Sequence, residues 1–144
     1  MEARSDPAGG SEPLPRTFRS PDDIAQFVRR CSVDGECEGL LVVGLDHQLQ
    51  VVGVAVNPQY HAIATIGVPE LVLLAEELEA FALAIALVEP GESRVPSQFE
   101  VRAYEELVRR CGGVGIVLLD CVVMRGDQWW SLVERAHDLR AVDQ

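Results

Sequence analysis

The sequence predicts a single α/β (α+β) domain in which helices flank a central mixed sheet. Its 144 residues are enough for one buried core and too few for two comfortable ones. Apolar runs of strand length alternate with segments in which apolar residues recur every three or four positions, as they do on one face of a helix. Strands and helices mixed in this order bury their apolar faces when the helices pack on one sheet.

The ordered domain is predicted to span residues 20–138. Residues 1–19 are rich in Pro, Gly, Ser and charge and hold little to bury, so we expect a disordered tail there. Residues 133–144 form either a short helix or a fraying end, and residues 139–144 are expected to be a frayed tail.

The charge balance and the cysteines limit the class of protein. The chain carries 12 basic and 23 acidic residues, a net charge of −11, and all the basic residues are Arg. This charge disfavours direct nucleic-acid binding, because phosphate backbones are repelled. No apolar stretch is long enough for a membrane span, and the four cysteines show neither C-x-x-C spacing nor a preceding secretory segment. We therefore expect a cytoplasmic protein with reduced thiols and no membrane association.

The first half of the domain predicts one helix and a hairpin. A helix is predicted over residues 21–31, because Ser20 can cap it and Pro suits the first helical position. The apolar runs at residues 40–46 and 51–56 predict two strands joined by a turn. Residues 57–67 are expected to form a loop that leads into a third short strand.

The second half predicts two helices and three strands. A helix over residues 68–82 is followed by a buried strand at 83–89 and by a second helix at about 98–111. Residues 115–124 predict a long buried strand, and residues 129–132 predict an edge strand. The apolar face of the first helix is expected to hold Leu71, Leu74, Ala75, Leu78 and Phe81. That of the second is expected to hold Phe99, Ala103, Leu107 and Cys111.

The loop between the 83–89 strand and the next helix is dense in Pro, Gly, Ser and carboxylate. Ser97 and Glu100 at its end form the S-x-x-E pattern of a helix capping box, which explains both residues without a further function. Replacing such a capping serine with Ala costs about 1 kcal/mol. Glu89 ends the buried strand and is expected to face solvent where the sheet stops.

Six segments, taken in order, form a sequence pattern that extends over most of the predicted domain. They are SPDDIAQFV, LLVVGLD, VPEL, AIALVEPGESRVPSQFE, GIVLLDCVVM and WWS. Together they resemble the RadC branch of the JAB/MPN (JAMM) metalloprotease-like fold over nearly the whole predicted domain. The resemblance implies a single JAB/MPN-like domain.

The family's metal motif is His-x-His, seven residues, Ser, two residues and Asp. The resemblance sets its frame by the Pro-Ser pair at Pro96 and Ser97. The motif histidines then fall on Leu87 and Glu89, its serine on Ser97 and its acid on Glu100.

The residues at these positions depart from the family chemistry. In catalytic members two histidines and an aspartate hold Zn²⁺, and an upstream glutamate, for which Glu36 and Glu38 are the candidates, activates a bound water. Leu87 has no lone pair to donate, and Glu89 and Glu100 are carboxylates. We therefore expect no catalytic residue, no bound metal and no cofactor. The chain is expected to be a catalytically inactive RadC-like JAB domain that acts as a protein- or peptide-binding module.

Two other functions stay open. Glu89 and Glu100, with His47 or His61, could hold Mg²⁺ or Mn²⁺ in a divergent metal-dependent hydrolase of the isopeptidase or protease kind. The family label also implies a DNA-repair-associated RadC-type protein.

The end of the domain offers further candidates. Trp129 and Trp130 are adjacent on the predicted edge strand, so they point to opposite faces, and one is a candidate interface anchor. A lid over the sheet edge is an equal alternative. The resemblance places Cys121 where the family has a histidine after Asp120, and Ser131 on a later family serine. A reactive thiol at Cys121 is a further alternative, although its apolar neighbours are expected to raise its pKa.

Overall fold

A computed structural model describes residues 17–31, 38–59 and 62–142. The predictions that concern residues 1–16, Glu36, Cys37 and His61 lie outside the described residues. The helices are α1 (Pro21–Cys31), α2 (Val68–Leu78), α3 (Gln98–Gly112) and α4 (Leu132–Val142). The strands are β1 (Gly39–Leu45), β2 (Val51–Asn57), β3 (Ala82–Glu89), β4 (Val117–Arg125) and β5 (Gln128–Ser131).

The strands form one mixed sheet in the order β2-β1-β3-β4-β5, which confirms the predicted α+β class. β3 and β4 are parallel and are connected through α3, whereas the other neighbouring pairs are antiparallel. A parallel pair needs a crossover of this kind, since a tight turn cannot join strands that run in the same direction. The carboxyl ends of β3 and β4 therefore lie side by side, with the loop before α3 next to them.

The sheet separates two apolar cores. On one face, α2, α3 and α4 pack on alternate residues of the central strands such as Leu40, Ile85 and Val123. On the other face, α1 and Phe18 cover the intervening residues, including Val43 and Ala84. Both faces of β1 and β3 are buried, which explains why these strands read as continuous apolar runs.

The predicted third short strand is wrong. Residues Ile63–Thr65 form a 3-10 turn, and the backbone N–H and the hydroxyl of Thr65 both donate to the carbonyl of Ala62, at 3.1 and 2.6 Å. Ile63 and Ile66 are buried against the helical face of the sheet. Their apolar side chains hold the segment between β2 and α2 against the core. Its hydrogen bonds are local ones within the turn and not bonds to a neighbouring strand.

Two predicted core positions also differ from the structure. Phe99 is 75% exposed, because α3 buries the stripe that contains Val101 and Tyr104 together with the predicted Leu107 and Cys111. Phe81 lies beyond α2, whose C-cap residue Glu79 adopts the left-handed conformation with φ 52°. Its ring is partly exposed and stacks on His47, with 4.2 Å between the ring centroids.

The ordered region is longer at both ends than the predicted span of residues 20–138. Phe18 is buried, its N–H donates to the carbonyl of Leu49, and Thr17 forms a β-bridge with Gln50. At the other end α4 continues through Val142, and Leu139 packs against the core. Isolated apolar residues in polar surroundings anchor both ends, which composition alone does not indicate. None of the helices within the described ranges is long and apolar enough to cross a membrane.

Candidate functional site

The candidate site lies at the carboxyl ends of the parallel strands β3 and β4. Leu87 and Glu89 point to the same face of β3, where they pair in register with Val123 and Arg125 of β4. Leu87 is only 1% exposed and belongs to the core beneath α3. Glu89 is two residues further along, where the sheet ends, and so reaches the rim of that core.

Arg125 connects three parts of the chain at this rim. Its Nε donates to the carboxylate of Glu89, and one terminal nitrogen donates to the carboxylate of Glu100 at the start of α3. The other terminal nitrogen donates to the backbone carbonyl of Arg94 at 3.0 Å. The Arg125 side chain is 3% exposed, against 21% for Glu89 and 24% for Glu100. We call these three residues the Glu89–Arg125–Glu100 cluster.

The prediction that Glu89 is simply solvated is therefore wrong. The parallel register brings a buried guanidinium beside its carboxylate, so Glu89 is half-buried and paired.

The charges of the cluster stabilise one another. Burial by itself would lower the pKa of Arg125, but the hydrogen bonds to Glu100 and Glu89 outweigh it and the pKa is raised. Burial would raise the pKa of Glu100, but the hydrogen bonds from Arg125 and from the Ser97 N–H outweigh it and the pKa is lowered. Charge-assisted hydrogen bonds of this kind are about twice as strong as neutral ones.

Ser97 and Glu100 form the predicted capping box, which is confirmed. The Ser97 hydroxyl accepts from the N–H of Glu100 at 3.2 Å, and Oε1 of Glu100 accepts from the N–H of Ser97 at 3.0 Å. The other oxygen of Glu100 accepts from Arg125. One carboxylate thus caps α3 and also closes the cluster.

The loop before α3 is fixed on the turn between β4 and β5. Ser93 Oγ donates to the carbonyl of Arg125 at 3.1 Å. Gly126 opens that turn with φ 60°, and a Cβ there would lie 3.0 Å from both the Gly91 carbonyl and Ser93 Oγ. Beside the loop is an open cleft of about 580 Å³. Its lining residues are Glu89, Pro90, Glu92, Ser93, Arg94 and Arg125.

The family comparison agrees with this architecture. The model of the RadC-like JAB domain family matches residues 18–138, which is most of the chain. The chain belongs to the RadC-like JAB domain family. Among curated proteins no match to it is found.

At the positions that the resemblance gives to the ligands of the family's zinc site, the residues of this RadC-like JAB domain do not fit zinc. Leu87 offers no lone pair, and the oxygens of Glu89 and Glu100 already accept hydrogen bonds from a guanidinium. Across the described part of the chain, no group of three His, Cys, Asp or Glu side chains is arranged to hold a metal ion. A hydrolytic zinc site needs three such ligands and an open position.

Of the other predicted ligands, His47 is not brought to the cluster, and His61 is outside the described residues. His47 lies at the turn after β1, and the end of β1 pairs with the start of β3, so His47 is roughly 20 Å from Glu89 along the strand. Glu38 precedes Gly39, which pairs with Val88, so it lies at the same end of the sheet as the cluster but is exposed. Of the two candidates for an upstream glutamate, Glu38 alone is in the described residues.

Asp120, Cys121 and Ser131 form a second polar site, within the sheet. Asp120 is 4% exposed and accepts from the Ser131 hydroxyl at 2.5 Å, the Cys121 N–H at 2.7 Å and the Val133 N–H at 3.2 Å. Ser131 Oγ also accepts from the Glu134 N–H at 3.1 Å and so caps α4. Burial raises the pKa of Asp120 in spite of these hydrogen bonds. Burial also raises the pKa of the Cys121 thiol, which agrees with the expected unreactive cysteine.

The tryptophans lie on the edge strand β5 as predicted. Trp129 is opposite Met124 and packs on the α1 side, whereas Trp130 is opposite Val123 and faces the other side. Both indoles are half-buried. Their role as an interface remains a prediction.

The sequence patterns did not indicate Arg125, which directly follows the strand predicted over residues 115–124. A signal for it exists: a basic residue ends a buried apolar strand, and the preceding parallel strand ends in an acid. Pairing the ends of the two runs would have brought Arg125 beside Glu89.

Proposed function

We propose that this RadC-like JAB domain does not hydrolyse peptide bonds and instead binds a protein or peptide partner. The observation that carries the proposal is the guanidinium of Arg125 between Glu89 and Glu100. In the frame implied by the family motif, these carboxylates stand at two of the ligand positions.

The chemistry of the cluster argues against hydrolysis. A hydrolytic metal lowers the pKa of its bound water and stabilises the charge that develops on the substrate. A guanidinium has no vacant coordination position, and with its raised pKa it cannot act as a base. Its hydrogen bonds also engage the carboxylates of Glu89 and Glu100, which makes both poorer general bases.

The cleft beside the cluster supports a binding role. In sheets that contain parallel strands, ligands commonly bind outside the carboxyl ends of those strands. Here the loop that forms the cleft is held by Ser93 and by the capping box. The exposed side chains of Glu92 and Arg94 lie along it. A cleft fixed in this way costs little conformational entropy when a peptide binds.

A hydrolysis assay tests the first half of the proposal. Fluorogenic peptide and isopeptide substrates are incubated with the protein and with Zn²⁺, Mn²⁺ or Mg²⁺. We expect no turnover above the metal-only background. Metal-dependent turnover that is lost in Glu89→Gln/Glu100→Gln would contradict the proposal and support the divergent hydrolase.

A binding selection tests the second half. Peptides selected from a random library on the full chain are titrated against a cleft variant with exchanged charges, Glu92→Arg/Arg94→Glu. The control exchanges a distant exposed ion pair, Glu105→Arg/Arg140→Glu. We expect the cleft exchange to weaken binding at least tenfold and the control to leave it unchanged. Equal affinities for both variants would place the binding surface elsewhere, with the Trp129–Trp130 edge as the next candidate.

The charge of the chain sets its class of partner. With a net charge of −11, direct nucleic-acid binding is disfavoured, so any link to DNA repair would run through a protein partner. A gel-shift assay at low salt checks this, and a retained DNA band would overturn it. The cytoplasmic location stays a prediction from the sequence.

A further inference from the structure

We propose that Arg125 is a built-in cation that takes the place of a metal ion and keeps divalent cations out of the site. The inference goes beyond partner binding, and its test does not depend on finding a partner.

The charges at the rim favour a fixed cation. Two carboxylates that converge at a half-buried rim repel each other unless a cation lies between them. Arg125 supplies that cation, and its side chain is nearly as buried as the apolar core. Arg suits this position better than Lys, since its planar group donates in several fixed directions at once and keeps its proton.

Oxygen atoms from three parts of the chain surround the guanidinium. They come from Glu89, Glu100 and the carbonyl of Arg94. Two of these residues are positioned by local structure: Glu89 by the β3–β4 register and Glu100 by the capping box. The backbone therefore keeps these two acidic side chains at the same rim whether or not a guanidinium is there.

The ligand class follows from these donors. Three oxygen donors, two of them carboxylates, suit a hard cation such as Mg²⁺, Mn²⁺ or Ca²⁺ rather than Zn²⁺, which favours nitrogen and sulfur. Removing the guanidinium should leave a site for such a cation, with water as the remaining ligands. The wild-type chain should show no such site.

Metal titrations of Arg125 variants test the inference. Thermal unfolding is followed in wild type, Arg125→Ala and Arg125→Lys with increasing Mn²⁺, Mg²⁺ or Ca²⁺. We expect Arg125→Ala to be stabilised, with the unfolding equilibrium shifted about 100-fold at a metal concentration 100 times the dissociation constant. Wild type and Arg125→Lys, which keep a cation, should not respond. Adding Glu89→Gln/Glu100→Gln to Arg125→Ala should abolish the response.

Two outcomes would overturn the inference. One is a folded Arg125→Ala that shows no metal response. The other is a wild-type response that is lost in Glu89→Gln/Glu100→Gln, which would mean that the guanidinium does not exclude metal. If Arg125→Ala is unfolded without metal, Arg125→Gln replaces it, because glutamine keeps a polar group but no charge. A metal response of wild type that is lost in Glu89→Gln/Glu100→Gln overturns the inference with either variant.

Discussion

Two carboxylates, one in the middle of strand β4 and one bound to its end, are stabilised in different ways. Asp120, in the middle of the strand, is held by a hydroxyl and two backbone N–H groups, and burial keeps its pKa raised. Glu100 is held to the end of the same strand by a guanidinium, and its pKa is lowered. Neutral donors are enough to position a buried acid, but ionising that acid still costs free energy. The guanidinium at the end of β4 therefore does more than position Glu100. It also favours the ionised form of that carboxylate, which the neutral donors around Asp120 do not achieve.

The largest expected effect comes from removing that cation. Arg125→Met keeps most of the apolar stem but leaves Glu89 and Glu100 without their counter-ion. Breaking one partner of a buried ion pair typically costs 3 to 5 kcal/mol, and because both acids are partly exposed we expect about 3 kcal/mol. Urea unfolding measures it. Arg140→Met, which breaks an exposed pair with Glu105, is the control and should cost less than about 1 kcal/mol. Equal losses would remove the contrast between the two sites.

The next effect concerns the neutral site. Asp120→Asn can no longer accept from every donor around it, and we expect a loss of about 2 kcal/mol in the free energy of unfolding. A double-mutant cycle with Ser131→Ala isolates the hydroxyl contact, since Ser131 also caps α4. A coupling near zero would show that the backbone donors alone position Asp120.

A smaller loss is expected at the helix cap. Ser97→Ala removes the acceptor for the Glu100 N–H and should cost about 1 kcal/mol by chemical unfolding. Ser97→Thr keeps a hydroxyl and should recover most of that loss. If Ser97→Ala lost as much stability as Arg125→Met, the cap rather than the cation would hold Glu100 in place.

The pH dependence of stability distinguishes the two acids by sign. The folded pKa of Glu100 is below its ordinary value of 4.5, so its ionised form stabilises the fold at higher pH, and this contribution is lost as the pH falls through the folded pKa. The folded pKa of Asp120 is above its ordinary 3.8, so protonation relieves its cost as the pH falls through that folded pKa.

Variants separate these two contributions. Between pH 6 and pH 3, Glu100→Gln should lose less stability than wild type and Asp120→Asn should lose more, as measured by unfolding in buffers across that range. A change of the same sign in both variants would contradict the assignment of opposite shifts.

Local patterns predicted much of the fold. The capping box at Ser97, the first helix after Ser20 and the five strands of the sheet depend on neighbours within a few residues, and the sequence shows those neighbours directly. The family resemblance came from the same local segments and is confirmed.

The cluster was not predicted because its contacts are not local. Arg125 lies 36 residues from Glu89 and 25 from Glu100, so its partners depend on which strands are parallel and in which register. The exposure of Phe99 was not predicted for a similar reason. A shift of one residue in the helical pattern changes which side of α3 faces the sheet. The burial of Phe18 was not predicted because a single aromatic residue hardly changes the polar composition of its segment.

The positive charge in the Glu89–Arg125–Glu100 cluster belongs to a side chain of the protein, so it does not have to be taken up from solution. A metal ion has to be acquired after synthesis, competes with other proteins for a limited pool and can be removed by a chelator. The guanidinium is translated with the chain, so each folded molecule carries one cation at this place. If the guanidinium replaces a metal ion as proposed, the folding of the domain should be the same in metal-depleted and metal-rich growth medium.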